Sequence, residues 1–419
     1  MSTSLSRRAF LHSAAAAVTA PWVRTSPWSG RRLAANERIG IGVIGVGDLG
    51  GGGHHLGRLL RLPEVEVVAV CDVDAQRVQA AVDKCEGRAS GHKEYRELLD
   101  RKDVDAVVIV TPDHWHALQA IDACAAGKDV YCEKPLTLTV AEGRAITAAA
   151  QRFGRVFQTG TQQRSDQRFR WACELVRNGR IGRVQTVTAV LGSAPFSAPE
   201  PDAEVPPHLD WDLWLGPAPR VPYNPRRCHY QFRWFYDYSG GKLTDWGAHH
   251  IDIVQWGLGA ELSGPLSVHG TGTWPADNFF ETATEFDVHY EYPGGVRVHV
   301  TSRGENGVTF RGSEGEVFVS RGAIRANPKE ILDTRSGTMP VKLPVSTDHH
   351  ADWLRCIRTR AQPICHAEIG HRSATACHLG NIALLLGRKL YWDAQRERFQ
   401  GDPDADRLLT KPMRAPWSL

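Results

Sequence analysis

A glycine-rich turn behind a short apolar run constrains this chain more than any other stretch. Residues 39–50 read IGIGVIGVGDLG, and Gly45, Gly47 and Gly50 have the G-x-G-x-x-G spacing. This order is typical of a strand that turns into a helix. The first two glycines let backbone N–H groups approach a pyrophosphate, and the third lets helix and strand pack closely. The stretch predicts a dinucleotide site, with a purely structural turn as the alternative.

A second apolar run ends in an acidic residue at the distance that a dinucleotide site requires. Residues 65–71 lead into Asp72, which lies 22 positions beyond Gly50. A carboxylate at this place accepts hydrogen bonds from the adenosine ribose and repels a 2′-phosphate. We therefore expect NAD rather than NADP as the cofactor.

The length of 419 residues suits two domains. The net charge of +3, without a stripe of Lys or Arg, gives no reason to expect a nucleic-acid partner. We divide the chain into a leader at 1–37, a nucleotide-binding domain at 38–157 and a second, α+β domain at 158–419. Nine cysteines without a C-x-x-C pair predict packed thiols rather than a disulfide framework.

The leader has the layout of a twin-arginine export signal. Arg7 and Arg8 precede Ala-Phe-Leu, and a mildly apolar run follows at 14–20. A disordered basic leader is the alternative. The run is too short for a stable membrane span. We expect export, to the periplasm, of a protein that folds and takes up its cofactor first.

Apolar strands and helices alternate from residue 38 to about 157. This alternation predicts a doubly wound parallel sheet covered on both faces, with ligands outside the carboxyl ends of its strands. The expected strands are 39–45, 65–71, 105–111, 129–132 and 155–160. The expected helices are 50–62, 74–85, 93–101, 114–126 and 139–153.

Two of these strand ends carry unusual residues. One leads into Thr111-Pro112, and another into Glu133-Lys134-Pro135. A lysine beside a nucleotide cleft is a candidate for handling a proton or orienting a substrate hydroxyl. A solvated surface lysine is the alternative interpretation.

Together with the glycine turn, these motifs resemble the glucose–fructose oxidoreductase, inositol dehydrogenase and MocA family (Gfo/Idh/MocA). The resemblance covers nearly the whole chain after residue 38. It implies that Lys134 contacts both substrate and cofactor. The residues that we expect to hold the dinucleotide are Gly45, Gly47, Asp48, Leu49, Gly50, Asp72, Thr111, Pro112, His116, Glu133 and Lys134.

The second domain has a different sequence pattern. Short apolar runs at 184–191, 282–291, 295–302, 307–311 and 315–319 are separated by turns such as Pro-Gly and Asn-Gly. They predict hairpins and a mostly antiparallel sheet. The family resemblance implies a substrate-binding domain and homo-oligomers built on this sheet. Helices are expected at 168–178, 349–358 and 372–389.

Polar and aromatic residues mark candidate substrate contacts. Gln162 and Arg164 lie in a polar stretch after the last predicted strand of the first domain. Residues 207–246 contain ten aromatic side chains, Trp234 among them. Aromatic faces stack on sugar rings, although such side chains also pin long loops to a domain. We expect Gln162, Arg164 and Trp234 to contact substrate.

A helix after Gly240-Gly241 carries the candidate acid/base residues. Asp245, His249, Asp252 and Trp256 share one of its faces. Histidine titrates near neutral pH and suits proton removal from an alcohol. The resemblance gives this role to His249, with Asp245 beside it, and we assign Asp252 to fixing the helix. Metal binding is a weaker alternative, because His249 and His250 point about 100° apart on a helix.

These observations favour an NAD-dependent oxidoreductase with a tightly held cofactor. Its substrate would be a hydroxyl of a sugar, glycoside or polyol, with Lys134, His249 and Asp245 as catalytic residues. One alternative is an NAD-retaining glycosidase or lyase that works through a transient keto-sugar. Another is a non-catalytic, NAD-bound sugar-binding protein.

Overall fold

Two β-sheets, of six and nine strands, organise the computed structural model. The structure describes residues 38–334 and 339–419. Both sheets belong to one compact unit that spans Asn36–Leu419. The predicted export signal lies outside the described residues. Within the described ranges, no helix combines the length and the apolar character needed to span a membrane.

The first sheet is entirely parallel, and its strand order is β3-β2-β1-β4-β5-β6. Its strands are β1 (Ile39–Ile44), β2 (Val65–Cys71), β3 (Ser90–His92), β4 (Ala106–Ile109), β5 (Asp129–Cys132) and β6 (Phe157–Thr159). Every residue of β1, β4 and β5 is buried, as expected for a sheet covered on both faces. The order reverses between β1 and β4, where such sheets bind ligands. The predicted doubly wound parallel sheet is confirmed.

The helices of this layer agree with the prediction at four of five places. They are α1 (Leu56–Leu59), α2 (Ala75–Lys84), α3 (Tyr95–Leu99), α4 (Asp113–Ala125) and α5 (Val140–Arg152). The prediction of one helix over 50–62 is wrong, because turns occupy 48–55 and only α1 is helical. Four successive glycines, Gly50 to Gly53, disfavour an earlier helix start. Sequence analysis also missed β3, whose three residues are not apolar.

The second sheet is mostly antiparallel, as predicted, with order β13-β12-β11-β7-β10-β9-β8-β14-β15. Only β7 and β10 pair in parallel among its described pairs. The strands are β7 (Val184–Val190), β8 (Ser267–Thr273), β9 (Glu285–Tyr292), β10 (Val296–Thr301), β11 (Gly307–Gly312), β12 (Glu316–Val319), β13 (Ile324–Asn327), β14 (Leu390–Asp393) and β15 (Arg398–Phe399). Buried and accessible residues alternate along β9, so one face packs on the core. The predicted runs correspond to β7 and β9–β12.

The helices of the second domain are α6 (Gln167–Arg177), α7 (Trp211–Leu215), α8 (Lys242–Asp245), α9 (Gly247–Leu258), α10 (His349–Thr359), α11 (Ala367–Leu386) and α12 (Pro403–Arg407). Of these, α6, α9 and α11 pack on the nine-stranded sheet. The long helix α11 contacts α5 of the first domain as well as α9 and β8. It therefore ties the two sheets together and fixes α9 relative to the first sheet. The predicted domain boundary at residue 157, where β6 begins, stays a prediction.

Candidate active site

A cleft of about 600 Å³ lies between the carboxyl ends of the parallel strands and helices α8 and α9. Its volume falls in the range of small-molecule and cofactor sites. Most of the predicted site residues line it. They are Gly45, Gly47, Asp48, Leu49, Gly50, Asp72, Thr111, Pro112, Glu133, Lys134, Gln162, Asp245 and His249. The roles that we assigned to these residues stay predictions.

The glycine turn leaves no room for side chains. Gly45 has a φ of +85°, a backbone conformation that favours glycine. A Cβ atom at Gly45 would lie 2.7 Å from the carbonyl carbon of Val110, and one at Gly50 would lie 1.8 Å from the carbonyl oxygen of Gly45. Both positions therefore require glycine, and the turn that they form lines the cleft, as a pyrophosphate-binding turn must. This cradle fits a dinucleotide.

Asp72 stands next to this cradle and is tied to it by the backbone. Its carboxylate accepts hydrogen bonds from the N–H groups of Val46 (2.9 Å) and Asp74 (3.1 Å). Burial raises the pKa of Asp72, and these two hydrogen bonds oppose the rise. A carboxylate has about four acceptor positions, so Asp72 retains capacity for ribose hydroxyls. The predicted NAD preference is consistent with this geometry.

A segment of the second domain is hydrogen-bonded to two loops of the first domain next to the cleft. The N–H of Ala75 donates to the carbonyl of His208 at 2.8 Å, and the N–H of Asp210 donates to that of Val73 at 2.9 Å. Lys93 Nζ donates to the Asp210 carboxylate at 2.9 Å. Backbone and side-chain contacts therefore join this segment to the loops that follow β2 and β3.

Most of the aromatic side chains in 207–246 serve packing. Trp211 and Trp214 stack with ring centroids 4.7 Å apart. The expectation that Trp234 contacts substrate is wrong for this structure. Its indole is 5% exposed, packs near Phe280, and donates its N–H to Gln231 at 2.7 Å. The aromatic residues of the segment that do line the cleft are Trp214, Tyr230, Phe232 and Trp246.

The two domains meet at a contact between Lys134 and Asp245. Lys134 Nζ donates to Asp245 Oδ1 at 2.6 Å and to the Asp245 backbone carbonyl at 3.1 Å. Lys134 follows β5, and its peptide bond to Pro135 is cis. Burial opposes ionisation of Asp245, but the charges of Lys134 and Arg233 hold its pKa below the usual range. The pair places an ammonium group at the cleft wall.

His249 lies on α9 beside this pair and is nearly fully buried. Burial lowers the pKa of its imidazole well below the usual value, and the charges of Lys134 and Arg321 add to the effect. The ring is thus neutral near pH 7 and able to accept a proton. We expected Asp245 to stand beside this histidine. Among the described residues, however, no hydrogen bond joins Asp245 and His249, because the Asp245 carboxylate accepts from Lys134 instead.

A buried histidine chain supports the loop that carries Lys134. Glu133 is within 3.1 Å of His55 Nε2, and His55 Nδ1 is 3.1 Å from His350 Nε2. Burial raises the pKa of Glu133, but the hydrogen bond and the charge of His55 outweigh it and bring the pKa to about 2. Sequence analysis missed His55, although the pairs His54-His55 and His349-His350 were visible.

Two further assignments need correction. His116 is 1% exposed and does not line the cleft, because its ring nitrogens contact the carbonyls of Thr111 and Pro135, each at 2.8 Å. It fixes the two strand-end loops relative to each other. Arg164 makes two hydrogen bonds to Asp252, at 2.7 and 2.8 Å, in the core below α9. Its guanidinium is 1% exposed and has no face for substrate.

The cysteine prediction is confirmed, since all nine cysteines are free and buried. Among the described residues, no group of three or more His, Cys, Asp or Glu side chains has the geometry of a metal site. Arg321, which also lines the cleft, is a second residue that sequence analysis missed. It stands in the turn between β12 and β13, and its local sequence resembles any hairpin turn.

Comparison with known proteins assigns both domains to one family. Residues 39–161 match the NAD-binding Rossmann fold of the Gfo/Idh/MocA oxidoreductase family. Residues 198–419 match the family's C-terminal alpha/beta domain. These matches confirm the resemblance seen in the motifs and the expectation of NAD as cofactor.

Individual relatives match over shorter stretches. Inositol 2-dehydrogenase of Salmonella typhimurium is 39% identical over 144 residues, which cover 34% of this chain and 42% of the relative. Inositol 2-dehydrogenase 2 of Saccharopolyspora erythraea is 28% identical over 302 residues, covering 71% and 76%. The match thus spans less than half the length of the Salmonella enzyme.

A solved structure shows the same fold over most of the chain. The WlbA dehydrogenase of Bordetella pertussis, in complex with NADH and UDP-GlcNAcA, superposes with a TM-score of 0.66 at 18% identity. The superposition covers 85% of this chain and 99% of that one. With both domain matches, it follows that this chain is a member of the Gfo/Idh/MocA oxidoreductase family.

Proposed function

We propose that this protein is an NAD-dependent oxidoreductase that acts on a hydroxyl group of a sugar or polyol. One observation carries the proposal: Lys134, Asp245 and His249 line the same cleft as the glycine cradle. The Lys134–Asp245 contact joins residues 111 positions apart, so the fold itself assembles the group. Names of relatives, such as inositol 2-dehydrogenase, support a hydroxyl-rich substrate.

Residues of the chain account for proton removal. When bound, NAD supplies the hydride acceptor for the substrate carbon. The neutral imidazole of His249 accepts the hydroxyl proton. The ammonium of Lys134 donates a hydrogen bond to the substrate oxygen and stabilises negative charge that develops there. Asp245 holds that ammonium in place and has a free oxygen for a second substrate hydroxyl.

We also propose that the cofactor is held tightly. Gly45, Gly47, Gly50 and Asp72 would hold the dinucleotide from the first domain. The loop directly after Asp72 is held in place by backbone hydrogen bonds from Ala75 to His208 and from Asp210 to Val73. A tightly held cofactor suits export by the twin-arginine route, which we propose from Arg7 and Arg8, because free NAD is scarce outside the cytoplasm.

We further propose that the protein forms a homo-oligomer through the outer face of the nine-stranded sheet. This face is accessible and polar in the described chain. His269, His289 and His299 stack across β8, β9 and β10, with centroids 5.2 and 4.4 Å apart. Sedimentation velocity of the purified protein tests this proposal, and a monomer at micromolar concentration contradicts it.

The test of the catalytic proposal is absorbance at the NADH wavelength during incubation with sugars and polyols. We expect Lys134→Met and His249→Ala to lower turnover by about 10²- to 10⁴-fold while nucleotide binding survives. Lys389→Met, an exposed lysine paired with Glu291, is the matched control and should keep full activity. Turnover that persists in both active-site variants contradicts the proposal.

A further inference from the structure

Positive charge exceeds negative charge at the substrate end of the cleft. Lys134 and Arg233 both approach the carboxylate of Asp245, at 2.6 and 3.7 Å. The side chains of these three residues are only 13 to 17% exposed. Two further carboxylates line the cleft nearby: Glu133 contacts His55, and Asp113 accepts a hydrogen bond from Ser239. Two cations therefore share one carboxylate in a partly buried site.

Arg321 adds a third cation at this end of the cleft. Its guanidinium stacks 4.7 Å above the ring of Trp246. With the Gln163 amide turned so that its nitrogen donates to the His249 carbonyl (2.9 Å), its oxygen accepts from Arg321 Nε at 3.3 Å. These contacts hold the arginine in position without neutralising it. Within the described parts of the chain, no carboxylate forms an ion pair with Arg321.

Lys242 adds a further positive charge next to the indole of Trp246. Its ammonium lies 5.7 Å from the centroid of the Trp246 ring. Burial lowers the pKa of Lys242, and the charge of Asp245 opposes this effect. Partly buried cations are costly unless an anion accompanies them. Among the described residues, Asp245 is the carboxylate in ion-pair contact with Lys134 and Arg233, whereas Asp113 and Glu133 bond to Ser239 and His55. Arg321 and Lys242 are left without an ion pair in the described parts of the chain.

The cofactor does not account for this charge. The phosphate cradle, Gly45 to Gly50, lies at the other end of the cleft, where Arg77 stands beside Gly47 and Asp48. Lys134 and Arg233 lie instead at Asp245, and Lys242 and Arg321 lie at Trp246, near the place where the reacting hydroxyl would be held. An anion that completes this group must therefore belong to the substrate.

We infer that the substrate is an anionic carbohydrate, whose carboxylate or phosphate ester binds Arg321. This inference rests on the proposed function and deepens it. Arg321 suits the task because its planar guanidinium can make paired hydrogen bonds to an oxyanion. Its stacking on Trp246 fixes the plane of the group in advance. The hydroxyl to be oxidised then lies between Lys134 and His249.

The test compares matched neutral and anionic compounds on the full chain. The panel contains glucose, galactose and mannose, the corresponding uronates, glucose 6-phosphate and myo-inositol. Initial rates of NADH formation give kcat/KM, and the shift in Tm on adding each compound reports binding without turnover. We expect uronates or the phosphate ester to exceed their neutral parents about 10- to 100-fold in kcat/KM and to give the larger Tm shift.

Variants then locate the anion. Arg321→Gln should lower kcat/KM for the preferred anion about 10- to 100-fold more than it lowers kcat/KM for the matched neutral compound, with both measured at the same pH. Arg325→Gln is the matched control, because Arg325 lies in the same hairpin, pairs with Glu305 and does not line the cleft. Preference for uronates identifies a carboxylate, and preference for glucose 6-phosphate identifies a phosphate ester.

Other outcomes separate this inference from the proposed function. If neutral sugars are oxidised as well as anionic ones, the anion inference is overturned and the oxidoreductase proposal stands. If no compound yields NADH, the oxidoreductase proposal fails. The Tm shifts then decide the inference: a larger shift with anions that is lost in Arg321→Gln supports it, and equal shifts overturn it.

Discussion

The two ends of the cleft are built on different principles. The cofactor end is made by backbone: a glycine with φ of +85°, two close approaches that exclude a Cβ atom, and one carboxylate held by N–H groups. The substrate end is made by polar side chains, Lys134, Asp245, His249 and Arg321, from three separate parts of the chain. A backbone site depends on short-range spacing, whereas a side-chain site depends on how distant elements pack.

This contrast has consequences for substitutions. At the cofactor end, a side chain at Gly45 or Gly50 is harmful because the backbone around these two positions leaves no space for a Cβ atom. At the substrate end, the harm depends on which face of α9 a residue occupies. His249 faces the cleft, whereas Asp252, on the same helix, faces the core. The predictions below test both statements, beginning with the largest expected effect.

Removing the carboxylate of Asp252, which points from α9 into the core, should be the most damaging change. Asp252→Ala leaves the buried guanidinium of Arg164 without its partner, which costs about 3–5 kcal/mol in the free energy of unfolding. Urea denaturation measures this loss. Glu305→Ala, which breaks the exposed pair with Arg325, is the control and should change little. Equal losses in both variants would mean that the Arg164–Asp252 pair is not a core element.

A methyl group in the glycine turn should disable the cofactor end. Gly50→Ala places a Cβ atom against the Gly45 carbonyl, so the turn must shift, and we expect at least about a 100-fold loss of NAD affinity, or roughly 3 kcal/mol. Titration of protein fluorescence with NADH measures the affinity.

The chain contains a matched control for this change. Gly53 lies in the same run of glycines, yet a Cβ atom there meets no atom within 4 Å. Gly53→Ala should therefore bind NAD nearly as well as the unmodified protein. If Gly50→Ala and Gly53→Ala bind equally well, backbone closeness does not define the cofactor end.

Replacing His55, which contacts Glu133, should have an intermediate effect on stability. His55→Leu removes the hydrogen bond to a buried carboxylate, which costs about 1–3 kcal/mol in the free energy of unfolding. His55→Gln keeps a donor and should recover part of this loss. Thermal and urea denaturation of the two variants measure the difference. Identical behaviour of Leu and Gln at this position would show that the hydrogen bond contributes nothing.

The pH profile should show the smallest effect. Burial lowers the pKa of His249 from its usual value of 6.5, and the charges of Lys134 and Arg321 lower it further. The ring therefore stays neutral at pH values below 6.5. The acid limb of kcat/KM for oxidation should lie below pH 6.5. Arg321→Gln removes a neighbouring positive charge, raises the pKa and should move that limb upward by less than about one pH unit. A limb that moves downward contradicts this assignment.

Sequence analysis succeeded where the relevant physics is local. Gly45, Gly47 and Gly50 predicted the cradle because spacing alone fixes a strand-to-turn connection. The Glu133-Lys134-Pro135 motif marked the correct strand end. The same reasoning failed for the helix over 50–62, because a run of four glycines competes with a helical start and the prediction weighed only the apolar residues around it.

Failures at the substrate end have a common cause. Arg164 and Trp234 were assigned to substrate because they are polar or aromatic near the cleft in sequence. Their burial depends on Asp252 and Phe280, which lie far along the chain. Arg321 carried no local signal at all, since only the packing of a hairpin brings it beside Trp246.

By itself, the sequence determined the parallel sheet, the NAD cradle and the family, because these follow from short-range periodicity and glycine spacing. Only the tertiary structure decided which charged side chains face the cleft and which are neutralised in the core. That choice depends on the long-range packing of α9, α11 and the nine-stranded sheet, which brings Lys134, Asp245 and Arg321 around one space and directs Arg164 and Asp252 away from it.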